Sequence, residues 1–236
     1  MTTTARPAPA GARARVRAEL TSEIKEAARV QLAEVGAPAL SLRAVARDVG
    51  MVSSAVYRYF PSRDDLLTAL IVDAYDAVGL VAEVAIDAVS PPDVLERWLA
   101  IARAVRAWAL ANPNEYALIY GSPVPGYAAP ADTIGPAARP ALVLLRVLVE
   151  GVASGQIDAG AGPPIARAVR ADLAPLRRQA APGVPDEVLA RGLGAWTQLF
   201  GTISFELFGH LHNVIHDYDA FFDHEMHRAG RTLTGP

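Results

Sequence analysis

Hydrophobic residues along this chain recur mostly at intervals of three and four positions, which is the period of an amphipathic α-helix. The stripe from Ile24 to Val35 predicts a helix over residues 15–36. Comparable stripes follow between residue 62 and the C-terminus, and no segment shows the sustained alternation that is typical of a β-strand. The pattern therefore predicts an all-α protein.

Two short helices joined by a tight turn are predicted over residues 41–61. Ser41 can cap the free amides of the first helix, and Gly50 follows where a chain leaving a helix commonly turns left-handed. The second helix is predicted to begin near Val52, with Val56 on its buried side. Two helices joined by a Gly-containing turn form a helix-turn-helix unit, whose second helix reads the DNA major groove. The apolar face of the first helix consists of Leu42, Val45, Ala46 and Val49.

The polar side chains of this unit are of the types that contact DNA. Arg43 and Arg47 lie off the buried face of the first helix. Cations and hydroxyls bind phosphates, and a guanidinium suits the edge of a guanine. Judged by spacing alone, an ordinary helical hairpin with a solvated polar face remains an alternative. The polar residues of the second helix are Ser53, Ser54, Tyr57 and Arg58.

Three motifs follow one another between residues 41 and 67: SLRAVARDVG, AVYRYF and PSRDDLL. With the preceding helix, they closely resemble the DNA-binding head of TetR-family transcriptional regulators, and the resemblance covers residues 15–75. Val52 departs from the family pattern, because a Ser that caps the recognition helix is usual there. The resemblance implies phosphate contacts from Ser41, Arg43, Tyr57, Tyr59 and Arg63. It implies base-edge contacts from Ser53, Ser54 and Arg58.

The distribution of charge fits a protein that touches phosphates at one end. The net charge is −3, but residues 1–61 carry nine Lys or Arg against five acids, which leaves the remaining 175 residues at −7. A basic head supplies sequence-independent affinity for DNA by counterion release. Residues 1–14, rich in Ala, Pro and Arg, are expected to form a disordered basic arm.

Composition excludes several other classes. There is no Cys, so a disulfide scaffold, a thiolate nucleophile and a Cys-ligated zinc site are excluded. Charged residues interrupt every long apolar stretch, and no secretory signal is present. A soluble, cytoplasmic protein without a membrane partner is therefore expected.

A long helix is predicted to begin at a capping box formed by Ser62 and Asp65 and to end near Val89. At 1.5 Å per residue it would span about 40 Å, so a tilt of this rigid helix could be transmitted from one domain to the other. The resemblance implies that it joins a head, residues 15–75, to a helical ligand-binding and dimerisation domain, residues 76–236. Further helices are predicted over residues 91–111 (with Ser90 as cap), 113–120, 131–154, 165–179, 185–211 and 217–233, with a loop over 121–130.

Glycines interrupt the helix predicted over residues 185–211, where each costs about 1 kcal/mol. Close approach of another helix would explain Gly192, Gly194, Gly201 and Gly209, and two C-terminal helices per subunit can form a four-helix bundle about a two-fold axis. The stretch WTQLFGTISFELFGHL also resembles a TetR subgroup named for a Trp-His-Gly signature, except that Phe200 replaces the His. The predicted dimer interface contains Gly194, Gly201, Ile203, Phe205, Phe221 and Phe222.

Aromatic residues at helical spacing predict either ordinary core or the walls of a cavity for a small molecule between helices. Arg103, Arg106 or Glu206 would supply a polar contact. The candidate pocket residues are Trp98, Trp108, Tyr116, Tyr120, Trp196 and Phe200.

Five His residues lie near several carboxylates between residues 210 and 227, which raises the hypothesis of a metal site. Helix-end and interface polar residues are the favoured alternative, so no metal and no cofactor are predicted. Nucleotide-binding and nucleophile-elbow motifs are absent from the sequence, and the protein is not expected to be an enzyme. An all-α enzyme or metal-dependent protein, and a dimeric interaction module without DNA binding, remain the alternatives.

The sequence therefore predicts a DNA-binding transcriptional regulator. The expected partners are a palindromic double-stranded operator, an unidentified small-molecule effector and a second copy of the chain. Release of a repressor from DNA by its ligand is the expected mode of action.

Overall fold

The structure, a computed structural model, describes residues 9–160 and 164–235. Ten α-helices and two 3-10 helices, but no β-strand, occur in these two ranges, which confirms the all-α prediction. The α-helices are α1 (Pro9–Val35), α2 (Leu42–Asp48), α3 (Ser53–Val56), α4 (Arg63–Asp87), α5 (Val94–Ala111), α6 (Pro113–Tyr120), α7 (Ile134–Ala153), α8 (Arg167–Ala180), α9 (Asp186–Leu207) and α10 (Tyr218–Thr234). The 3-10 helices cover Ala37–Ala39 and Ala131–Thr133.

The helices form two compact units. The first unit contains the described residues up to Ile71 together with the loop Ser122–Pro130. The predicted domain boundary between residues 75 and 76 stays a prediction. Within the first unit, the Tyr127 hydroxyl lies 2.9 Å from that of Thr68 in α4. A contact between residues so distant in sequence cannot be found from local periodicity.

Helix α1 begins before the predicted position. Residues 1–8 of the expected disordered arm lie outside the described residues. Residues 9–14 are helical, so α1 starts at Pro9 rather than near residue 15. Ala and Arg favour helix, and Pro is well tolerated at the first helical position, which explains the longer element.

The core of the first unit forms where the apolar faces of α1, α2 and α3 meet. Ile24 and Ala28 of α1, Val45 of α2 and Val56 of α3 have no exposed surface. The faces predicted for the helix-turn-helix unit are thus the buried ones. Helix α4 adds Leu66 to this unit, and its start is capped as predicted. The Asp65 amide donates to the Ser62 hydroxyl (3.1 Å), which in turn donates to the Asp65 carboxylate (2.6 Å).

Helix α5 begins later than the sequence predicted. Its cap is Asp93, whose carboxylate accepts from the Glu96 amide at 2.9 Å, and Ser90 is not the cap. Pro92 disfavours helical geometry for the residue before it, so a helix cannot begin at Pro91.

Helix α9 ends earlier than predicted, at Leu207 rather than residue 211. Gly209 has a φ of +75°, and the amides of Gly209 and His210 donate to the carbonyls of Glu206 and Phe205. These two bonds form a Schellman motif, which satisfies the last free carbonyls of the helix.

Helix α5 lies at the centre of the second unit, in contact with α7, α9 and α10. The Trp98 indole donates to the Met226 carbonyl of α10 at 2.8 Å. Gly230 of α10 faces Trp98, and a Cβ there would lie 2.8 Å from the indole Cδ1. Gly192 of α9 faces the Leu148 side chain of α7 in the same way. Close approach within the chain explains these two glycines, whereas Gly194 and Gly201 face open space, and their place in a dimer interface stays a prediction.

A multidentate ion pair joins α7 to α4 in the second unit. Arg139 of α7 donates to both carboxylate oxygens of Glu83 at 2.8 Å and to one carboxylate oxygen of Asp76 at 3.0 Å. Both acidic residues lie on α4. Its aliphatic chain covers Gly79, which has no side chain to obstruct it.

No helix within residues 9–160 and 164–235 is sufficiently long and apolar to cross a membrane.

We expect Gly230→Ala to lower the free energy of unfolding by about 1–3 kcal/mol, because the added methyl group overpacks the contact with Leu95 and Trp98. Gly135→Ala is the matched control, since a Cβ at Gly135 meets no atom within 4 Å. The thermal midpoint of Gly230→Ala should fall below that of the wild type, whereas the midpoint of Gly135→Ala should rise or stay unchanged. Equal midpoints for both variants would contradict the packing described for α5 and α10.

Candidate functional site

The first unit contains the predicted helix-turn-helix. Ser41 caps α2 by accepting from the Ala44 amide at 3.5 Å, and Gly50 has a φ of +67°. The amides of Gly50 and Met51 donate to Arg47 and Ala46, which ends α2 in the geometry that the glycine allows. Helix α3 begins directly after Val52, and no side chain caps its start.

A buried amide fixes α2 against α1. Gln31 of α1 is 6% exposed, and its Nε2 donates to the Asp48 carboxylate at 2.8 Å. Its Oε1 accepts from the Ser41 amide at 3.3 Å. One side chain of α1 thus holds both ends of α2. The sequence analysis did not identify Gln31, because its partners lie ten and seventeen residues away.

Four of the eight predicted DNA-contacting residues are exposed. Arg43 is exposed on α2, and Ser54, Tyr57 and Arg58 are exposed on α3 and directly after it. These four side chains present guanidinium and hydroxyl groups, which are the usual donors to phosphates and base edges. Ser41, Ser53 and Tyr59 are half-buried.

Two of the predicted phosphate contacts already have partners within the chain. Arg63 donates to the Ala37 carbonyl at 3.0 Å and lies 3.8 Å from the Asp64 carboxylate. The guanidinium of Arg17 lies over the Tyr59 ring, 5.0 Å from its centroid, and donates to the Arg58 carbonyl at 3.3 Å. Arg17 therefore supports the segment that carries Tyr57 and Arg58. Its helical position gave no sign of a contact 41 residues away.

Four of the six predicted pocket residues come together in the second unit. The ring centroids of Tyr120 and Phe200 lie 4.1 Å apart, those of Trp196 and Phe200 4.5 Å, and those of Tyr116 and Tyr120 5.2 Å. Two residues that the sequence analysis missed also contact these rings. We name the whole set the aromatic cluster: Tyr75, Tyr116, Tyr120, Trp196, Phe200 and Phe208.

Trp98 and Trp108 do not belong to the aromatic cluster, and their place in a ligand pocket stays a prediction. Both are buried in the core around α5, where Trp98 faces α10 and the Trp108 carbonyl accepts from the side chain of Asn112 at 2.8 Å. Aromatic residues with the same helical spacing can face different neighbours, and the sequence alone did not distinguish these neighbours.

The hydroxyl groups of the aromatic cluster have different environments. The Tyr116 hydroxyl lies 3.0 Å from the Phe200 carbonyl, to which it donates, and 2.8 Å from the Ser204 hydroxyl. Burial raises the pKa of Tyr116 to about 12, and the Ser204 hydrogen bond opposes the rise. The Tyr120 hydroxyl is buried and has no hydrogen-bond partner among the described residues. Burial is the largest cause of the raised pKa of Tyr120, and the neighbouring Tyr75 and Tyr116 raise this pKa as well.

The polar candidates for the pocket, Arg103, Arg106 and Glu206, all form ion pairs within the chain. Arg106 of α5 binds both oxygens of Glu206 on α9, at 2.8 and 2.7 Å, and Asp219 of α10 at 2.7 Å. These bonds raise the pKa of Arg106 and hold its charge. Arg103 pairs with Asp223 of α10 at 3.0 Å.

The residues predicted to form a dimer interface divide into two groups. Gly194, Gly201 and Phe205 are exposed along α9, and Phe221 of α10 is half-buried. Ile203 and Phe222 are 0% and 1% exposed and belong to the core of their own chain, so they cannot form a free surface. This is a correction of the prediction for these two residues.

Within residues 9–160 and 164–235, no three potential ligands among His, Asp and Glu are grouped so that they could hold a metal ion. The Nδ1 atom of His227 lies 2.7 Å from the Asp223 carbonyl one helical turn away.

Comparison with known proteins gives a consistent result over both units. A family model described as "Bacterial regulatory proteins, tetR family" matches residues 24–70, and one described as "Tetracyclin repressor-like, C-terminal domain" matches residues 98–229. The chain is 42% identical over 203 residues to the HTH-type transcriptional regulators Rv1816 of Mycobacterium tuberculosis H37Rv and Mb1846 of Mycobacterium bovis, with 84% of this chain and 85% of each relative covered. The regulatory protein SCO4313, which has a crystal structure, is 36% identical in sequence to this chain. The two structures match with a TM-score of 0.75 over 96% of this chain and 98% of that one. Membership of the Trp-His-Gly subgroup stays a prediction.

We expect Gln31→Ala to destabilise the protein by about 1–3 kcal/mol, because the Ser41 amide and the Asp48 carboxylate lose a buried partner. Urea unfolding measures the change. Gln179→Ala, at an exposed position of α8, is the control and should leave the midpoint unchanged. An unchanged midpoint for Gln31→Ala would contradict the bridging role of this side chain.

The raised pKa of Tyr116 predicts a loss of stability in alkali. A tyrosine whose pKa is higher in the folded state stabilises the protein fully below its ordinary pKa of 10.0, and this contribution falls as pH rises toward about 12. Tyr116→Phe should therefore lose less stability than the wild type across this range, measured by urea unfolding at each pH. Tyr57→Phe, which changes an exposed ring, should follow the wild type. Equal losses in wild type and Tyr116→Phe would refute the prediction.

Proposed function

The chain belongs to the TetR family of helix-turn-helix transcriptional regulators, and from this premise we propose that it is a repressor which binds a palindromic operator as a homodimer and is released by a small-molecule effector. The observation that carries the proposal is the exposed donor set on α2 and α3. Arg43, Ser54, Tyr57 and Arg58 are exposed on one helix-turn-helix whose apolar face is buried.

We assign different roles to these side chains. Arg43, Tyr57 and the Ser41 hydroxyl would contact phosphates, which position the protein but do not specify sequence. Arg58 would read a base edge together with Ser53 and Ser54, since a guanidinium can donate two hydrogen bonds to a guanine. The Tyr59 hydroxyl and Arg63 remain proposed phosphate contacts, and the bonds of Arg17 and Arg63 within the chain would orient the surface.

The exposed face of α9 supports a dimer. Gly194 and Gly201 have open space where a side chain would be, and Phe205 next to them is 51% exposed. A second copy related by a two-fold axis could bring its α9 close to these glycines. Two heads in successive major grooves, about 34 Å apart, would then read a palindrome.

Release by an effector would follow from preferential binding of the ligand to one conformation. A ligand that binds better to the conformation with low operator affinity lowers the fraction of protein on DNA. The aromatic cluster of the second unit is the proposed place for the ligand, because tyrosine and tryptophan side chains there combine apolar surface with polar groups.

Selection of bound duplexes from a random DNA pool tests this function. We expect enrichment of a palindromic sequence with half-sites about one helical turn apart. A pool without any enriched sequence, or a strictly monomeric particle in solution, would overturn the proposal.

The roles of the two arginines are tested on the selected operator. Arg58→Ala should weaken operator binding by about 1–3 kcal/mol and relax the preference at one base pair of each half-site. Arg43→Ala should weaken binding to all sequences alike and reduce the salt dependence by about one released ion per protomer. Binding titrations at several salt concentrations measure both effects.

Arg178→Ala, at an exposed position of α8, is the control and should bind the operator like the wild type. If Arg58→Ala keeps both affinity and base preference, the assignment of Arg58 to base reading is wrong.

A further inference from the structure

The Tyr120 hydroxyl is a buried polar group without a partner among the described residues. Its ring packs against Phe200 at 4.1 Å and meets the Tyr75 ring edge-on at 6.0 Å. A phenol can donate one hydrogen bond and accept others, and burial without any of them costs stability. Each such group in a folded protein requires an explanation.

Tyr116, one helical turn earlier on α6, provides the comparison. Its ring is a neighbour of Tyr120, yet its hydroxyl reaches both the Phe200 carbonyl and the Ser204 hydroxyl. The Phe200 carbonyl and the Ser204 hydroxyl of α9 are therefore bonded to Tyr116 and not to Tyr120. The Tyr120 hydroxyl keeps its full hydrogen-bonding capacity for a molecule that is not part of the chain.

The aromatic cluster is accessible from outside. Tyr120 and Trp196 are half-buried, and Phe208 is 45% exposed. The cluster therefore presents part of its ring surface to solvent. Aromatic rings prefer to pack against other rings in offset or edge-on arrangements, and such contacts add to the gain from burying apolar area.

The electrostatic environment favours a neutral molecule. Burial raises the pKa of Tyr120, which shows that the surroundings disfavour a charge on the phenol itself. The same loss of hydration would disfavour a charged group on a molecule placed next to it. A neutral hydroxyl or carbonyl can bond to the phenol without this penalty.

We propose that Tyr120 is the polar anchor of a binding site, formed with Trp196 and Phe200, for a small uncharged aromatic molecule that carries one hydroxyl or carbonyl group. The inference rests on the proposed function, in which the second unit binds an effector, and it specifies the chemical class of that effector.

Three matched probes test the chemistry: 4-methylphenol, toluene and 4-methylbenzoate. They share a ring but differ in the polar group, which is a neutral hydroxyl, absent, or an anion. Binding to the full chain is followed by the three tryptophan indole N–H signals in nitrogen-15 NMR spectra. We expect 4-methylphenol to shift the Trp196 signal saturably and more than that of Trp98, whose indole is bonded to Met226 in the core. Toluene should bind more weakly than 4-methylphenol, and 4-methylbenzoate most weakly of all.

Tyr120→Phe removes only the hydroxyl. This variant should bind 4-methylphenol roughly three- to tenfold more weakly than the wild type, the range that one net hydrogen bond provides, and toluene equally well. Its thermal midpoint should not fall, because no hydrogen bond within the chain is lost. Tyr218→Phe is the matched control, because Tyr218 of α10 lies outside the aromatic cluster, and it should keep the wild-type affinity for 4-methylphenol.

Each contrary outcome overturns the inference. These outcomes are the absence of a saturable Trp196 shift, an equal loss of affinity in Tyr120→Phe and Tyr218→Phe, and tighter binding of 4-methylbenzoate than of 4-methylphenol. The experiment contains no DNA, so its failure leaves operator binding and the palindrome selection intact. Conversely, failure of the DNA selection with successful probe binding would remove the proposed function and not the site.

Discussion

The exposed polar surface of the first unit depends on the small apolar core behind it. Ile24, Ala28, Val45 and Val56 are completely covered, and together they fix how α1, α2 and α3 pack. A core this small has little redundancy, because each side chain contributes a large share of the buried area. Gln31 supplements it with two hydrogen bonds from a single buried amide to the two ends of α2.

The second unit combines well-fixed contacts with one incompletely satisfied site. Around α5, the Trp98 indole and the Arg106 guanidinium each bind specific acceptors on neighbouring helices, and all of these polar groups are paired. In the aromatic cluster, by contrast, ring contacts dominate and the Tyr120 hydroxyl is unpaired among the described residues. A rigid frame beside a site with unused hydrogen-bonding capacity suits a domain that binds a small molecule, because the frame limits which conformations the ligand can select.

A fold alone does not establish what a protein does, so the functional argument depends on particular side chains. Arg103 and Arg106, which the sequence suggested as polar contacts for a pocket, are held by Asp223, Glu206 and Asp219. The exposed donors on α2 and α3 have the chemistry that phosphates and base edges require. The family relationship and the local geometry therefore lead independently to DNA as the partner of the first unit.

The sequence by itself determined the features whose partners lie within about one helical turn. The Ser41 cap, the left-handed turn at Gly50 and the Ser62–Asp65 box are as predicted, because each depends on hydrogen bonds between residues close in the chain. Only the tertiary structure decided which apolar residues face which neighbour. It buried Ile203 and Phe222, separated Trp98 from the aromatic cluster and brought Tyr75 into it. Helical periodicity states that a side chain lies on an apolar face, but contacts across tens of residues depend on how whole helices pack, and that packing is a property of the complete core.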